Sequence, residues 1–426
     1  MRRIIYPTKE ELQTVLQRPE LERPNLNAVV NEIFEEVKKN GDNGVKKYVN
    51  QFQGFQGKLE VTKEEIEVAI LSLSPELKQA IEIAAKNIFS FHSLQKDEGV
   101  CLETMPGVEC WRKSKPIEKV GLYVPGGTAP LFSTVLMLGI PAKIAECREI
   151  VMCTPCNESG IVHPAMLFSA HLIGITKIFK VGGVQAIAAM TFGTSTIPAV
   201  YKIFGPGNQY VTAAKQFAQQ FKVAIDMPAG PSEVMVVADD SAYPEFIAAD
   251  LLSQAEHGED SQVVLVTNSE LVAELVSDHL QKQLLNLPRK EIAEKALQNS
   301  FAIICNSSEF SDIINRYAPE HLIIATEIND QLIADVHNAG SVFIGNFTPE
   351  SAGDYASGTN HTLPTNGYAR QYSGVSVDSF VKKITYQKIT EQGLKNIGPA
   401  IECMAEAEEL VAHQRAVSLR LKTINQ

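Results

Sequence analysis

Cysteine is scarce in this chain. There are seven in 426 residues, an odd number without framework spacing. That excludes a disulfide-built fold and reads as a reduced, cytoplasmic set of thiols. Positive charge is also short: Lys plus Arg number 38 against 50 Asp plus Glu, a net charge of -12. A nucleic acid or an anionic membrane surface would repel such a protein. Long apolar runs are missing. The best one, Pro130 to Ile140, is stopped by Pro141 and falls short of the ~20 residues that span a bilayer. The N-terminus begins Met-Arg-Arg but turns charged at Lys9, Glu10 and Glu11, unlike a signal peptide. Several chemical signatures are absent as well. There is no Walker A lysine, no HExxH and no serine nucleophile elbow. Gly205-x-Gly207 is not completed to GxGxxG, because Tyr210 stands in the last position.

What is present describes a folded α/β chain. Hydrophobic residues make up 45% and charged residues 21%, which rules out disorder. The length suggests about two to four domains. The first ninety or so residues read as helical, with Asn25–Lys39 and Thr62–Phe91 at helical spacing and a break at Ser74-Pro75. From Ile117 onward, Val- and Ile-rich runs alternate with helical stretches, which predicts parallel sheets with crossover helices. The first series of strands is Lys119–Val124, Glu149–Cys153, Lys177–Val181 and Tyr201–Phe204. The second is Val234–Ala238, Gln262–Thr267, Phe301–Cys305, His321–Thr326 and Ser341–Ile344. Two α/β halves follow, with a boundary in Met227–Pro231. Gly345–Tyr372 reads as a long aperiodic loop holding Asp354, His361, Tyr355 and Arg370, and such loops are usually functional or disordered. The tail from Lys395 reads as helical, interrupted at Gly398-Pro399.

Three strand–glycine–helix turns lie within one hundred residues: after Val124, at Gly182-Gly183, and at Gly205-Pro-Gly-Asn208. Helix N-termini offer free N–H groups to phosphates, and glycine admits a close ligand. Ordinary connection turns explain any single one; three together make a nucleotide site plausible. Cys153-Thr-Pro-Cys156 is a lone CxxC, read as ordinary buried cysteines at a strand end. Gln254 and His257 are three apart near a helix end, so they face the same way and could share a metal. Glu320-His321 pairs two proton-transfer groups at a strand start. Neighbours on a strand point to opposite sides, so a bend near Pro319 is needed to bring both to one cleft. In the tail, Glu409 is the better same-face mate of His413 if one helix carries both, since Glu408 lies about 140° away.

The ordered set of motifs resembles the histidinol dehydrogenase family over nearly the whole chain. It comprises Gly121-Leu-Tyr-Val-Pro-Gly-Gly-Thr128, Val181-Gly-Gly-Val-Gln-Ala-Ile187, Phe204-Gly-Pro-Gly-Asn208, Met227-Pro-Ala-Gly-Pro-Ser-Glu233 and Asp250-Leu-Leu-Ser-Gln-Ala-Glu-His257. Ala318-Pro-Glu-His321-Leu, Gly353-Asp354-Tyr, Gly358-Thr-Asn-His361-Thr-Leu-Pro364 and Glu408 with Ala412-His413 complete it. The resemblance implies oxidation of L-histidinol to L-histidine through L-histidinaldehyde, with two NAD and a Zn2+ ion, in the cytoplasm. It implies zinc held by Gln254, His257, Asp354 and His413. Substrate would meet these four together with Ser232, His321 and Glu408. NAD would meet Tyr123, Gln185 and Asn208, one from each turn. Glu320 would activate water and His321 would serve as base. A homodimer is implied, in which the C-terminal arm crosses to complete the neighbour's site.

The implied fold resembles aldehyde dehydrogenases, with two incomplete Rossmann-like domains and helical terminal arms. Its parts are an arm at 1–25, a substrate and zinc domain at 26–118 and 233–378, an NAD domain at 119–232, and a helical dimerisation arm at 379–426. One departure stands out: Glu409 occupies a position where relatives often carry glycine.

Overall fold

The computed structural model describes residues 1–18, 26–126, 130–327 and 330–426. Asn25, Gly127 and Thr128, which figure in the predicted elements, lie outside them. The uninterrupted Val/Ile runs become buried parallel strands, as such runs do when both faces of a sheet are covered.

The larger sheet orders its strands Arg2–Ile5, Phe301–Ile304, Gln262–Thr267, Glu233–Ala238, His321–Ala325 and Ser341–Ile344, every neighbouring pair parallel. The smaller one runs Lys177–Phe179, Glu149–Cys153, Lys119–Tyr123, Lys202–Phe204 and Ala224–Ile225, also parallel throughout. All of the strands predicted from sequence are here, within a residue or two at their ends. Arg2–Ile5 was not predicted. It is a short, half-polar strand whose side chains are mostly exposed, and it forms by pairing alone.

A third sheet was also missed. Val381–Ile389, Val108–Pro116 and Cys101–Met105 pair antiparallel. Their largely exposed, charged faces carry too little apolar alternation to signal a strand. The C-terminal arm therefore begins as a strand before its helices. Glu391–Ala407 runs straight through Pro399, and the break comes instead at Glu408–Leu410, before Val411–Ile424. There Glu409 takes φ 59°, a left-handed conformation that glycine adopts without strain. This turn between two helices corrects the single-helix reading that paired Glu409 with His413.

The cores divide differently from the expected grouping. Val30, Phe34, Val45, Ile81 and Ile88, from the helices of the first ninety residues, are buried in one cluster with Leu122, Val151 and Phe204 of the smaller sheet. Residues 26–93 thus cover the smaller sheet, because their apolar stripes face it rather than strands 233–344. The larger sheet has cores on both faces, and Leu12 and Leu16 of the N-terminal arm are buried in one of them. All seven cysteines are free, and Cys153 and Cys156 are buried at a strand end as expected.

Candidate active site

In the smaller sheet the chain moves from Lys119–Tyr123 outward through Glu149–Cys153 to Lys177–Phe179, then returns to the other side at Lys202–Phe204. The order reverses between the strands ending at Tyr123 and Phe204. Beyond the carboxyl ends of such a reversal, diverging loops leave a crevice where ligands bind. A cleft of about 2270 Å3 opens here. Tyr123, Gln185 and Asn208 line it from this side, and Ser232 and His257 from the other.

Each side chain on the sheet side is set by local chemistry. The Tyr123 hydroxyl accepts the Gly183 N–H at 3.0 Å, and burial pushes its phenol up to about 12. Asn208 caps the helix Gln209–Ala218, its side-chain oxygen accepting the N–H groups of Tyr210 and Val211. The Gln185 side-chain oxygen is buried and has no hydrogen-bond partner among the described residues. Gly205 has φ 129°, and a Cβ there would lie 1.9 Å from the Tyr123 carbonyl, so no other residue closes this turn. Lys215 and Asp226 form a buried ion pair beneath it. Lys215 donates to the Gly205 carbonyl at 2.8 Å, and Asp226 accepts the Gly205 N–H at 2.8 Å.

The opposite wall includes Ser232 and His257, and behind Ser232 the amino ends of strands Glu233–Ala238 and His321–Ala325 bring together a buried cluster whose members are not among the described residues lining the cleft. The bend required near Pro319 exists: Ala318 ends a helix in the left-handed region at φ 54°. Both Glu320 and His321 are buried and converge. His321 Nδ1 donates to the Glu233 carbonyl at 3.1 Å and stands 3.5 Å from Glu320 Oε2. In the neutral imidazole that bond keeps the proton on Nδ1 and leaves Nε2 with the lone pair. Nε2 faces Asp354 Oδ1 at 3.5 Å and Glu350 Oε1 at 4.0 Å, without a hydrogen bond.

Glu350 was not foreseen. The predicted aperiodic loop contains the short helix Glu350–Tyr355, which places Glu350 and Asp354 four apart on one face. That spacing of two carboxylates was the available signal. His321, Glu350 and Asp354 each offer a ligand atom within 4.8 Å of one another.

Electrostatics follow from this crowding. Burial pushes the Glu350 carboxyl up to about 8, with Asp354 adding to the rise and His321 opposing it. Burial disfavours the His321 imidazolium, but Glu320, Asp354 and Glu350 outweigh it and hold its pKa well above the ordinary value. Burial also opposes the Asp354 carboxylate, yet His321 and His361 hold it below the usual range. His361 braces this helix, its Nδ1 donating to the Asp354 carbonyl at 3.0 Å while Nε2 meets Thr134 Oγ1 at 3.0 Å.

A family profile described as histidinol dehydrogenase matches residues 16–421. The chain belongs to the histidinol dehydrogenase family. It is 58% identical to the histidinol dehydrogenase of Bacteroides thetaiotaomicron over all of both chains. It is 51% identical to the chloroplastic histidinol dehydrogenase of Arabidopsis thaliana, covering 98% of this chain and 90% of that one. The crystal structure of histidinol dehydrogenase from Elizabethkingia anophelis superposes with a TM-score of 0.98 at 56% identity, over 100% of this chain and 99% of that one. Like its relatives, this histidinol dehydrogenase family member is an oxidoreductase of α/β architecture. Among its described residues no helix is long and apolar enough to cross a membrane.

Of the zinc residues that the resemblance implies, Gln254 and Asp354 both adjoin Glu350. Asp354 sits in the buried cluster. Gln254, 1% exposed, donates through its side-chain nitrogen to Glu350, and its own oxygen is buried without a partner among the described residues. His257 is exposed and lines the cleft. His413 and Glu408 are exposed on the C-terminal arm, and neither is among the described residues lining the cleft.

Proposed function

We propose that the chain oxidises L-histidinol to L-histidine through L-histidinaldehyde, the last step of histidine biosynthesis, with two NAD and one Zn2+, in the cytoplasm and as a homodimer. The observation that carries this is the meeting of Tyr123, Gln185 and Asn208 with Ser232 and His257 across one cleft, in a chain 58% identical to a histidinol dehydrogenase over its full length. The runner-up, a family dehydrogenase for another small amino or sulfo alcohol, differs only in substrate.

The residues suit both cofactors. Gln254 Oε1, buried and without a hydrogen-bond partner among the described residues, lies beside a cluster with two carboxylates. Such orphans cost free energy unless a ligand satisfies them, and oxygen and imidazole donors are acceptable to zinc. Gln254, His257 and Asp354 would hold the ion, with His413 supplied by a partner chain. Zinc, when bound, supplies a positive centre that orients the substrate's nitrogens. Buried Gln185 Oε1 is the comparable orphan at the crevice, where Tyr123, Gln185 and Asn208 would hold the dinucleotide. NAD, when bound, accepts a hydride from the substrate's carbinol carbon.

The chain's own groups then handle protons. His321 Nε2, kept as the acceptor by its Nδ1–H bond to Glu233, takes the hydroxyl proton of the alcohol. Glu320 removes a proton from the water that adds to the aldehyde, and His321 acts again on the resulting hydrate. One water enters, and four electrons leave as two hydrides. Glu408 of a partner chain suits the substrate's ammonium end. Burial of Glu320 and His321 keeps the reacting groups from bulk water, which protects a reactive aldehyde.

Purified, zinc-supplied protein is expected to form about two NADH per histidinol consumed, one for each oxidation. No NADH from histidinol, with turnover of a related amino alcohol instead, would favour the runner-up; no NADH from any alcohol rejects both.

A further inference from the structure

We propose that Arg18, on the N-terminal arm, is a positioning residue for the Glu320–His321 pair and acts through Glu233; this rests on the functional reading above. Glu233 opens its strand at 1% exposure. Its backbone N–H donates to Glu320 Oε2 at 2.9 Å, and its carbonyl accepts from His321 Nδ1 at 3.1 Å. One peptide segment thus fixes both reacting side chains. The Glu233 carboxylate in turn is gripped by Arg18, through Nε on one oxygen and Nη2 on the other at 2.8 Å, and by the Asn366 N–H at 3.0 Å.

The same guanidinium holds the second segment that carries the pair. Arg18 Nη2 also donates to the carbonyls of Tyr317, at 2.9 Å, and Ala318, at 3.3 Å. Its plane lies 4.1 Å from the Tyr317 ring centre. Tyr317 and Ala318 lead directly into Pro319-Glu320-His321. Arg18 therefore ties the start of one strand to the turn before the next, across the two peptides whose relative placement sets the imidazole.

Removing it leaves the Glu233 carboxylate buried with the Asn366 N–H and no cation. A buried charge without its partner either protonates or drags its backbone toward water. Either outcome loosens the bond that keeps the proton on Nδ1 and the lone pair on Nε2. Lysine cannot replace the fork, because a single ammonium cannot serve two carboxylate oxygens and two carbonyls in this planar arrangement. Arg18 stands 215 positions before Glu233, so no local motif announces the link.

The test compares the wild type with Arg18→Leu and Arg18→Lys by steady-state kinetics with histidinol and NAD, zinc content and thermal midpoint. Displacements of about 1 Å can cost up to ~100-fold in rate, so kcat is expected to fall at least about ten-fold in both variants. KM for both substrates should stay within about three-fold, because the Arg18 guanidinium, although it borders the cleft, is engaged by Glu233, Tyr317 and Ala318. Zinc content should match the wild type. A purely structural role would lower the thermal midpoint and leave kcat per zinc-loaded protein unchanged, which overturns the proposal. If Arg18→Leu does not fold, Arg18→Lys decides alone: a lowered kcat at retained KM supports the role, and wild-type kcat overturns it. An inactive wild type removes the functional reading and this proposal with it. An active wild type beside fully active variants removes this proposal alone.

Discussion

His321 works in a setting that would cripple an isolated imidazole. It is buried, yet three carboxylates surround it and one carbonyl fixes its tautomer. His321→Asn can keep a donor to Glu233 but has no basic nitrogen. Turnover is expected to drop about 100- to 10,000-fold while zinc and histidinol still bind. Isothermal titration beside the rate assay checks both halves, and normal turnover would mean that the base is another group.

Glu350 gives a pH prediction. Its carboxyl, ordinarily at 4.5, is pushed up to about 8 by burial and by Asp354. Between those values the folded, metal-free chain holds a proton that the unfolded chain has lost. Stability then falls as pH rises through that window. His321, raised above 6.5, acts in the same direction above that value. In chelator, the thermal midpoint should fall steadily from about pH 5 to about pH 8, and added zinc should stabilise more at the upper end, where the ligands are deprotonated. A midpoint that rises with pH in chelator would contradict the assignment of these carboxylates.

At the scale of elements, the third glycine turn depends on the buried pair beneath it. Lys215 and Asp226 are 3% and 1% exposed, and between them they hold both sides of the Gly205 peptide. Asp226→Ala leaves the Lys215 ammonium uncompensated, so a loss of about 3–5 kcal/mol in urea unfolding is expected. Dinucleotide affinity should weaken while histidinol affinity does not.

The elements themselves were largely readable. Buried Val/Ile strands such as Glu233–Ala238 and Gln262–Thr267 announce themselves by unbroken apolar runs. Strands with exposed, charged faces, such as Val381–Ile389, do not, because pairing rather than burial makes them strands. The site divides the same way. Glu320 and His321 are adjacent and visible. Glu350 hides in a segment whose Gly, Ser and Thr content masks a six-residue helix. Arg18 and Glu233 become partners only through the tertiary fold.

For the whole molecule, the question is where Glu408 and His413 act. Both are exposed and stand apart from the residues lining the cleft of their own chain. If arms are exchanged between two chains, His321→Asn and His413→Ala place their defects so that a mixed dimer has one doubly damaged site and one intact site. After dissociation and remixing at equal amounts, about a quarter of wild-type activity is expected from random pairing, starting from two inactive proteins. Persistent inactivity of a mixture shown to have exchanged would place the arms on their own chains.

The edge strand Arg2–Ile5 carries a consequence for how the chain is made. Its neighbour is Phe301–Ile304, so this strand has no partner to join until about 300 residues later. At roughly 5–20 residues per second of synthesis, that delay is on the order of 15–60 s. During it, Leu12 and Leu16 have not met Phe301 and Ile303, two of the residues that bury them in the finished fold. The Arg18–Glu233 tie also waits, for at least the 215 positions between its partners. The smaller sheet and the helices around it can close while the ribosome is still at work. The clamp behind Glu320 and His321 can be assembled only once Tyr317 and Ala318 have been made, 299 and 300 positions after Arg18.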